Sequence, residues 1–433
     1  MNGLTTVASP GAASGLGGAP TAMRPTATRF NVVMTVVLLI ALPPLVYYMW
    51  ICLEYHNGAL VWPSLEMATR FPLPTWTSVG ILAGWFVFQG LLQICAPGKW
   101  IEGTPLADGT RLKYKMNGWF SWWFTWVVIA AGVALQWIPP TILADQFGPL
   151  MTTANVFTYL FSFYLYWRGR TSGTPHERVT NNAIYDFWLG TALNPRFGNF
   201  DFKLFCEARP GLIGWVAMDL SLAAKQYQMH GTVTSPMILV CLVHFWYVAD
   251  YYFHEEAILT TWDIKHENFG WMLCWGDLVW VPFTYTIQAY YLVTQTHELA
   301  GWAIVGIALL NVTGYTIFRG SNIQKHEFRK DLTKPIWGRP AEYIATARGA
   351  PLLTSGWWGL ARHTNYFGDL LMGLAWCLPC GFASPLPYFY VVYFAILLVH
   401  RERRDHAMCA VRYGKDWDEY CKKVKYRIIP GVY

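Results

Sequence analysis

Two stretches near the end of the chain concentrate residues that could bind phosphate groups. Lys325 and Arg329 stand four apart in FRGSNIQKHEFRK, so on a helix they share one face. In HRERRDHAMCAVRYG the charged residues also follow one helical stripe, made of Arg401, Arg404, Asp405 and Arg412. Arginine forks match phosphate oxygens, and lysine supplies a strong point charge. These stretches predict an anion-binding surface, with a solvated charge belt beside a membrane as the alternative.

A third cluster lies between these two stretches and adds flat side chains. Its members are Arg362, His363, Asn365, Tyr366 and Asp369. An adenine or nicotinamide ring could stack on the aromatic faces that the region offers, namely Tyr366, Tyr413, Trp357 and Trp358. A plain charge belt would have less need for the interleaved amide, acid and aromatic residues. No G-x-G-x-x-G follows a strand, so a Rossmann domain is excluded and any nucleotide must be held by helix ends and side chains.

Acidic residues also occur within or beside apolar runs, at Asp219, Asp250, Asp277 and Asp369. A charge at the middle of a bilayer costs at least roughly 2.5–3.5 kcal/mol, so such residues usually face a cavity or a partner. The segment 247–266 adds further titratable side chains. A structural hydrogen bond explains each one singly, but as a group they predict the mouth of a polar pocket. The 11 histidines are dispersed without metal-ligand spacing, and we predict no metal site.

The composition requires these clusters to sit on membrane helices. The chain is 54% hydrophobic and only 13% charged, whereas soluble domains carry roughly a quarter charged residues. Long apolar runs predict an all-α, polytopic integral membrane protein of about ten transmembrane helices. The predicted spans are 31–53, 76–96, 119–139, 147–167, 210–228, 235–253, 270–293, 300–318, 366–383 and 385–400.

Basic residues predict the orientation of these spans. They concentrate in 97–118, 168–209, 319–355 and the C-terminal tail, while the alternate loops 54–75 and 140–146 are nearly free of them. The positive-inside rule then places both termini in the cytoplasm. Residues 1–28, rich in Gly, Ala, Pro, Ser and Thr, are predicted to be a disordered lead. The rest, 29–433, is one transmembrane domain whose pocket forms from about 235–433.

Several long motifs resemble those of the membrane sterol reductases, a family that includes Δ14-sterol reductases, 7-dehydrocholesterol reductases and the reductase domain of the lamin B receptor. The resemblance covers roughly 30–433. It rests on NNAIYDFWLGTALNPRFGNFDFKLFCEARPGLIGW (Asn181–Trp215), LVHRERRDHAMCAVRYG (Leu398–Gly414), FRGSNIQKHEFRK and SGWWGLARHTNYFGDL. Arg412 stands where the family usually has lysine, and the charge is kept.

The resemblance implies NADPH-dependent reduction of a ring double bond in a sterol. The residues that match the family's cofactor site are Lys325, Arg329, Trp358, Arg362, His363, Asn365, Tyr366, Asp369, Arg401, Asp405, Tyr413 and Tyr420. An isolated alkene accepts hydride poorly, so a proton must arrive first or in concert. For a Δ14 bond, protonation at C15 would build cation character at C14. Our candidates for the acid are Tyr247 and Glu255, with Asp263 and Asp277 in support.

The position of the double bond is less clearly indicated. EEAILTTWDI, IFRGSN, GWWG and LAWCLPCGF look like the Δ14 branch, whereas LAAKQ, PIWGRP and the ending PGVY look like the Δ7 branch. The first set lies nearer the predicted pocket and favours C14–C15. The alternatives are C7–C8 reduction, an isoprenylcysteine-methyltransferase-like enzyme and a non-enzymatic sterol-binding scaffold. Expected partners are a sterol and membrane lipid, without nucleic acid or metal. The resemblance implies the endoplasmic reticulum in a eukaryotic host and the cytoplasmic membrane in a bacterium.

Overall fold

The computed structural model describes residues 27–106, 109–171, 179–347 and 349–433, and these are mostly helical. The predicted helical class is therefore confirmed. The α-helices are α1 (Arg29–His56), α2 (Leu65–Thr69), α3 (Trp76–Cys95), α4 (Gly118–Ala134), α5 (Ile142–Asp145), α6 (Phe147–Thr171), α7 (Ala183–Leu189), α8 (Phe202–Ala208), α9 (Pro210–His230), α10 (Ser235–Phe253), α11 (Trp262–His266), α12 (Trp271–Trp275), α13 (Val281–Thr284), α14 (Ile287–Leu292), α15 (Gly301–Lys330), α16 (Trp357–Leu360), α17 (Thr364–Cys377), α18 (Phe389–Tyr413) and α19 (Lys415–Lys423). Of the predicted disordered lead, 1–26 lie outside the described residues.

Short strands and tight turns connect the helices. Three antiparallel hairpins pair β1 (Lys99–Glu102) with β2 (Lys113–Met116), β3 (Arg196–Phe197) with β4 (Phe200–Asp201), and β5 (Tyr343–Ile344) with β6 (Leu352–Leu353). Single 3₁₀ segments occupy Glu255–Thr260, Leu378–Cys380 and Leu386–Tyr388. Local sequence explains several boundaries: α9 and α10 carry proline in their first turn, and Thr75 and Ser78 form a capping box on α3.

The membrane-crossing count is the part of the fold prediction that is not confirmed. Each of the ten predicted apolar ranges overlaps helical structure. In the part of the chain that the structure describes, however, four helices are long and apolar enough to cross a membrane: α1, α3, α10 and α15. The predicted span 366–383 is helical as α17 only to Cys377, because Pro379 follows. The predicted span 270–293 is broken into several short helices.

That broken segment contains a π-helical turn, Gly276–Trp280, between α12 and α13. The turn packs directly on the start of α9. A Cβ on Gly211 would collide with the carbonyl oxygen of Asp277, so only glycine permits this approach. Single π turns inside helices occur frequently at functional sites. Here the turn places an acidic side chain, Asp277, beside the junction of α8 and α9.

A second close contact joins α15 to α17. A Cβ on Gly314 would lie 2.7 Å from the carbonyl oxygen of Gly368, and a Cβ on Gly368 would press on the backbone at Phe318. Small residues let two helices in a membrane approach at backbone distance. Because α15 continues without a break to Lys330, this contact sets the spacing between the end of α15 and the start of α17.

Candidate functional site

The structure brings the three basic clusters together at one end of the helix bundle. The last turns of α15 carry Lys325, whose Nζ lies 3.7 Å from the ring centroid of Trp358. The indole of Trp358 is buried and donates a hydrogen bond of 2.8 Å to the carbonyl oxygen of Ser321, which fixes it against α15. An ammonium over an indole is a favourable cation–π pair. Residues from α15 and α16 thus form one wall of the candidate site.

His363 and Asp405 connect α17 with α18. The Nε2 atom of His363 lies 3.1 Å from Oδ2 of Asp405, and the imidazole stacks on Tyr366 with ring centroids 4.9 Å apart. Burial opposes ionisation of Asp405, but the His363 hydrogen bond and the nearby ammonium of Lys325 outweigh it and hold the pKa of this carboxyl below its usual value. Asp405 therefore carries a negative charge inside the basic cluster.

Arg401 links the same wall to the segment after α10. Its Nη2 atom donates a 2.7 Å hydrogen bond to Oδ2 of Asp263, close to the start of α11. The charge of Arg401 also acts on Tyr366 and on Asp369, which is 9% exposed one helical turn further along α17. The predicted cofactor residues on α17 and α18 are thus joined through Arg401 to Asp263, a predicted support for the acid.

The final helix closes the site from the other side. Tyr420 is buried and packs on Trp417, with ring centroids 5.1 Å apart, and Tyr413 stacks on Trp417 at 6.4 Å. The backbone amide of Arg362 donates to the carbonyl oxygen of Tyr426 at 2.9 Å. Its guanidinium donates to the carbonyl of Val424 at 3.3 Å. The tail after α19 thereby ties the α16–α17 junction in place.

Several polar atoms in this cluster have no partner within the protein, which is the pattern expected of a ligand site. Nε of Arg362, Nδ1 of His363 and Oδ1 of Asn365 are buried without a hydrogen bond. Within the described ranges, no carboxylate lies within ion-pair distance of Lys325 or Arg329. Basic side chains without an ion-pair partner, beside unpaired polar atoms and aromatic faces, fit a nucleotide that carries several phosphate groups.

The predicted acids occupy different surroundings. Tyr247 lies on α10 inside an aromatic group, with its ring centroid 5.0 Å from that of Trp376 and 6.3 Å from that of Trp215. The charges of Asp369 and Arg319 both act on its hydroxyl. Tyr247 therefore lies in an aromatic group within electrostatic range of Asp369 on α17 and Arg319 on α15.

Glu255 is instead engaged with partners in the protein. Its Oε2 atom accepts a 2.8 Å hydrogen bond from the amide of Gly118, and its Oε1 atom lies 3.5 Å from Nη2 of Arg209. Burial raises the pKa of Glu255, while Arg209 and the Gly118 hydrogen bond lower it. Glu255 and Arg209 are both buried. This arrangement joins α4, α9 and the turn after α10.

Sequence reasoning missed two buried polar groups. These are Lys203 and Glu207 on α8, which lie near the predicted Asp277, and His244 on α10, whose Nδ1 atom lies 2.8 Å from Oδ2 of the predicted Asp219 on α9. The motif Asn181–Trp215, singled out only for its resemblance, contains both α8 residues. Charged side chains within an otherwise apolar stretch are a signal that could have identified them. Among the described residues no group of three or more His, Cys, Asp or Glu side chains could hold a metal ion.

Comparison with known proteins decides the family. The model of the ergosterol biosynthesis ERG4/ERG24 family matches residues 30–433. The chain belongs to this family. It is 58% identical over 402 residues to the Delta(14)-sterol reductase of Methylotuvimicrobium alcaliphilum, covering 92% of this chain and 94% of that protein. The Delta(14)-sterol reductase of Dictyostelium discoideum is 47% identical over 422 residues, covering 93% and 91%.

A third relative extends the comparison to fungi. The Delta(14)-sterol reductase erg24 of Schizosaccharomyces pombe is 48% identical over 397 residues, covering 89% of this chain and 92% of that protein. The resemblance stated from the motifs is therefore confirmed. Membership also removes the methyltransferase alternative, because the match runs through both the α8 motif and the basic clusters.

Proposed function

We propose that this protein is an oxidoreductase of sterol biosynthesis that reduces the C14–C15 double bond of a sterol and draws on NADPH. The observation that carries the proposal is the cluster formed by α15 to α18, where Lys325 lies over Trp358 and the charge of Arg401 acts on Tyr366. Relatives at 47–58% identity bear the name Delta(14)-sterol reductase, and this supports the choice of the bond. Reduction at C7–C8 is the second candidate, and it is supported only by the short segments LAAKQ, PIWGRP and PGVY.

The residues that would hold NADPH follow from the chemistry of the pocket. Lys325, Arg329 and Arg362 would neutralise phosphate groups, and the extra charge of a 2′-phosphate favours NADPH over NADH. Trp358 and Tyr366 offer faces for its rings, and the unpaired atoms of His363 and Asn365 remain for hydrogen bonds. When bound, NADPH supplies the hydride that the substrate takes up at C14. Asp369, Arg401, Asp405, Tyr413 and Tyr420 would position this group of residues.

Tyr247 is the acid that the geometry favours. Its hydroxyl lies in an aromatic setting and interacts electrostatically with Asp369 and with Arg319, which also pairs with Asp250. It could give a proton to C15, and Arg319 is the cation nearest to the phenolate that would form. The surrounding indole faces would stabilise the cation character that develops at C14. Glu255 would position α4 and α9 through Arg209, and Asp263 would hold Arg401. Asp277, on the π-helical turn, would be a further supporting acid.

A membrane setting agrees with these roles. Four of the helices that the structure describes could cross a membrane, and a sterol would reach the site from the lipid. We further propose that both termini face the cytoplasm, because the basic loops and the C-terminal tail would then lie on the side where NADPH is found. The membrane would be the endoplasmic reticulum in a eukaryotic host and the cytoplasmic membrane in a bacterial one.

A competition assay tests the proposal. Purified protein in detergent is given NADPH with equal amounts of an 8,14-dienol and a 5,7-dienol, and mass spectrometry identifies the products. We expect loss of the 14-double bond with one NADPH consumed per product. Loss of the 7-double bond would instead establish the second candidate. If both sterols bind and neither is reduced, the protein is a sterol-binding scaffold and the proposal fails.

A further inference from the structure

Two arginines of α18 are held by carboxylates of one short segment, 262–267, which contains α11. The Nη2 atom of Arg401 donates a 2.7 Å hydrogen bond to Oδ2 of Asp263. The Nη2 atom of Arg404, one helical turn further along α18, donates a 2.8 Å hydrogen bond to Oε1 of Glu267. The place of this segment therefore decides where α18 presents both guanidinium groups.

An indole of the same segment supports the second arginine. Nε1 of Trp262 donates a 2.7 Å hydrogen bond to the Oε1 atom of Glu267 that also accepts from Arg404. The guanidinium carbon of Arg404 lies 5.2 Å from the centroid of the Trp262 ring, a favourable cation–π arrangement. The side chain of Arg404 is nevertheless 49% exposed, so it depends on these two contacts for its orientation.

The segment is in turn held by a buried lysine that has no role in the proposed reaction. Lys203 on α8 is fully buried, and its Nζ atom donates to the backbone carbonyls of Asp263 at 2.8 Å, Ile264 at 3.0 Å and Glu267 at 2.9 Å. An ammonium has three donors, and the backbone accepts all of them. These carbonyls lie at the C-terminal end of α11, where a helix leaves carbonyl groups without intrahelical partners and favours a positive charge.

Lys203 is carried by a helix that is itself firmly packed. Its neighbours Leu204 and Phe205 are buried. At the start of α8, Oδ1 of Asp201 accepts a 2.9 Å hydrogen bond from the amide of Leu204, as an N-cap does. The other carboxylate oxygen of Asp201 lies 2.9 Å from Nε of Arg196. The ammonium of Lys203 therefore has a fixed base.

The residues that follow the segment are attached to the same part of the chain. The side-chain amide of Asn268 donates a 2.8 Å hydrogen bond to the carbonyl of Gly190, and the backbone amide of Phe269 donates to the carbonyl of Ala192 at 3.0 Å. Both acceptors belong to the α8 motif, which also contains Lys203. This motif thus supports the segment at two places, although it contributes no residue to the proposed cofactor site.

We propose that Lys203 is a positioning residue of the cofactor site, which holds Arg401 and Arg404 ready for the phosphate groups of NADPH. The inference rests on the proposed function. Lys203 does not contact the cofactor; it acts through the backbone of 262–267, whose two carboxylates orient the two guanidinium groups. With the arginines already ordered, binding does not have to order them.

Lys203→Met tests this role in the full-length protein in detergent, because methionine keeps much of the side-chain length and removes all three donors. Ordering two long side chains on binding lowers affinity by about 5–150-fold, so we expect the Kd of NADPH to rise by that factor. Quenching of tryptophan fluorescence measures the Kd. The sterol KM, and kcat at saturating NADPH, should stay within about twofold. Hydrogen exchange of the amides in 262–267 should become faster, since the segment is loosened.

Gln226 provides a matched control. It is also fully buried, and its side-chain nitrogen donates to the backbone carbonyls of Leu292 at 2.7 Å and Gln295 at 3.0 Å, near the opposite end of α9 from α8. Gln226→Met removes a similar set of hydrogen bonds and should lower Tm, while the Kd of NADPH stays within about twofold. An equal rise of the Kd in both variants would show a general loss of packing and would overturn the proposal.

A double-mutant cycle shows whether Lys203 acts through Arg401. In an Arg401→Gln background, Lys203→Met should raise the Kd of NADPH by less than about half the factor seen in the original protein, because one of the two arginines is already lost. Full additivity would contradict the proposal, as would an unchanged Kd in Lys203→Met alone.

A second variant decides the matter if Lys203→Met does not fold. Asn268→Ala removes the other attachment of the segment and leaves every charge in place. It should also speed exchange in 262–267 and raise the Kd of NADPH; faster exchange with an unchanged Kd would overturn the proposal. An original protein that binds no NADPH refutes the proposed function instead.

Discussion

Replacing Lys325 by glutamine is the sharpest test of where the cofactor binds. Glutamine keeps much of the length that packs on Trp358 and removes the charge, whose Nζ lies 3.7 Å from that ring. In the described ranges no carboxylate lies within ion-pair distance of Lys325, and Asp405, whose charge the Lys325 ammonium favours from further away, keeps its contact with His363. The main loss in the variant should therefore be the interaction with a phosphate group.

The size of that loss follows from the strength of a charged hydrogen bond. Hydrogen bonds to charged groups contribute about 1.5–3 kcal/mol, and every 1.4 kcal/mol is about tenfold in affinity. We expect the Kd of NADPH to rise by about 10–150-fold in Lys325→Gln, with little change in thermal stability. Quenching of tryptophan fluorescence on titration with NADPH measures the Kd, and thermal unfolding without NADPH measures the stability.

A nearby lysine provides the matched control. Lys334 follows the same helix, is about half exposed and pairs with Glu327, so Lys334→Gln removes an equal charge outside the pocket. Its Kd for NADPH should stay within about twofold of the original, since exposed pairs contribute little. Equal Kd values for Lys325→Gln and the original protein would refute the placement of the phosphate groups beside α15.

Four further outcomes follow from the same geometry. Tyr247→Phe should lower kcat by about 100-fold or more at unchanged NADPH KM, and wild-type turnover would exclude it as the acid. Arg401→Gln should raise NADPH KM more than Lys325→Gln does, because it also leaves its carboxylate partner as an uncompensated negative charge; steady-state kinetics on both variants decide this. Glu255→Gln strands the buried guanidinium of Arg209 and should cost about 3–5 kcal/mol of stability, visible as a lower Tm. Burial raises the pKa of Glu207 from 4.5 to about 8, so the folded state holds a proton that the unfolded chain loses in this window. Stability should therefore fall as pH rises from about 4.5 to about 8, and Tm measured against pH should be flatter in Glu207→Gln.

The basic clusters proposed to bind the cofactor could be recognised in the sequence because their residues follow helical spacing. The four-residue spacing shows from the sequence alone that each pair shares one face of a helix: Lys325 with Arg329, and Arg401 with Asp405. Their meeting across α15, α17 and α18 could not be derived from spacing, since it depends on helix contacts between residues distant in sequence, such as Gly314 and Gly368.

The acids were harder to predict for a related reason. Glu255 and Tyr247 are eight residues apart and equally plausible in sequence, yet one meets Arg209 and Gly118 while the other faces Asp369. Periodicity also predicted one continuous span over 270–293, where the structure has a π-helical turn. Apolar periodicity reports burial and not hydrogen-bond pattern, so it could not reveal the turn that brings Asp277 to Glu207.

The glycine contact between α15 and α17 couples the packing at Gly314 and Gly368 to the position of the end of α15, where Lys325 lies. A methyl group on Gly368 would push the backbone of α15 outward at Phe318, and the unbroken helix would carry that displacement to its far end. A substitution among lipid-level residues would then present itself as poor affinity for a water-soluble molecule. An activity assay alone would not distinguish such a variant from a folding defect, whereas a titration with the nucleotide would.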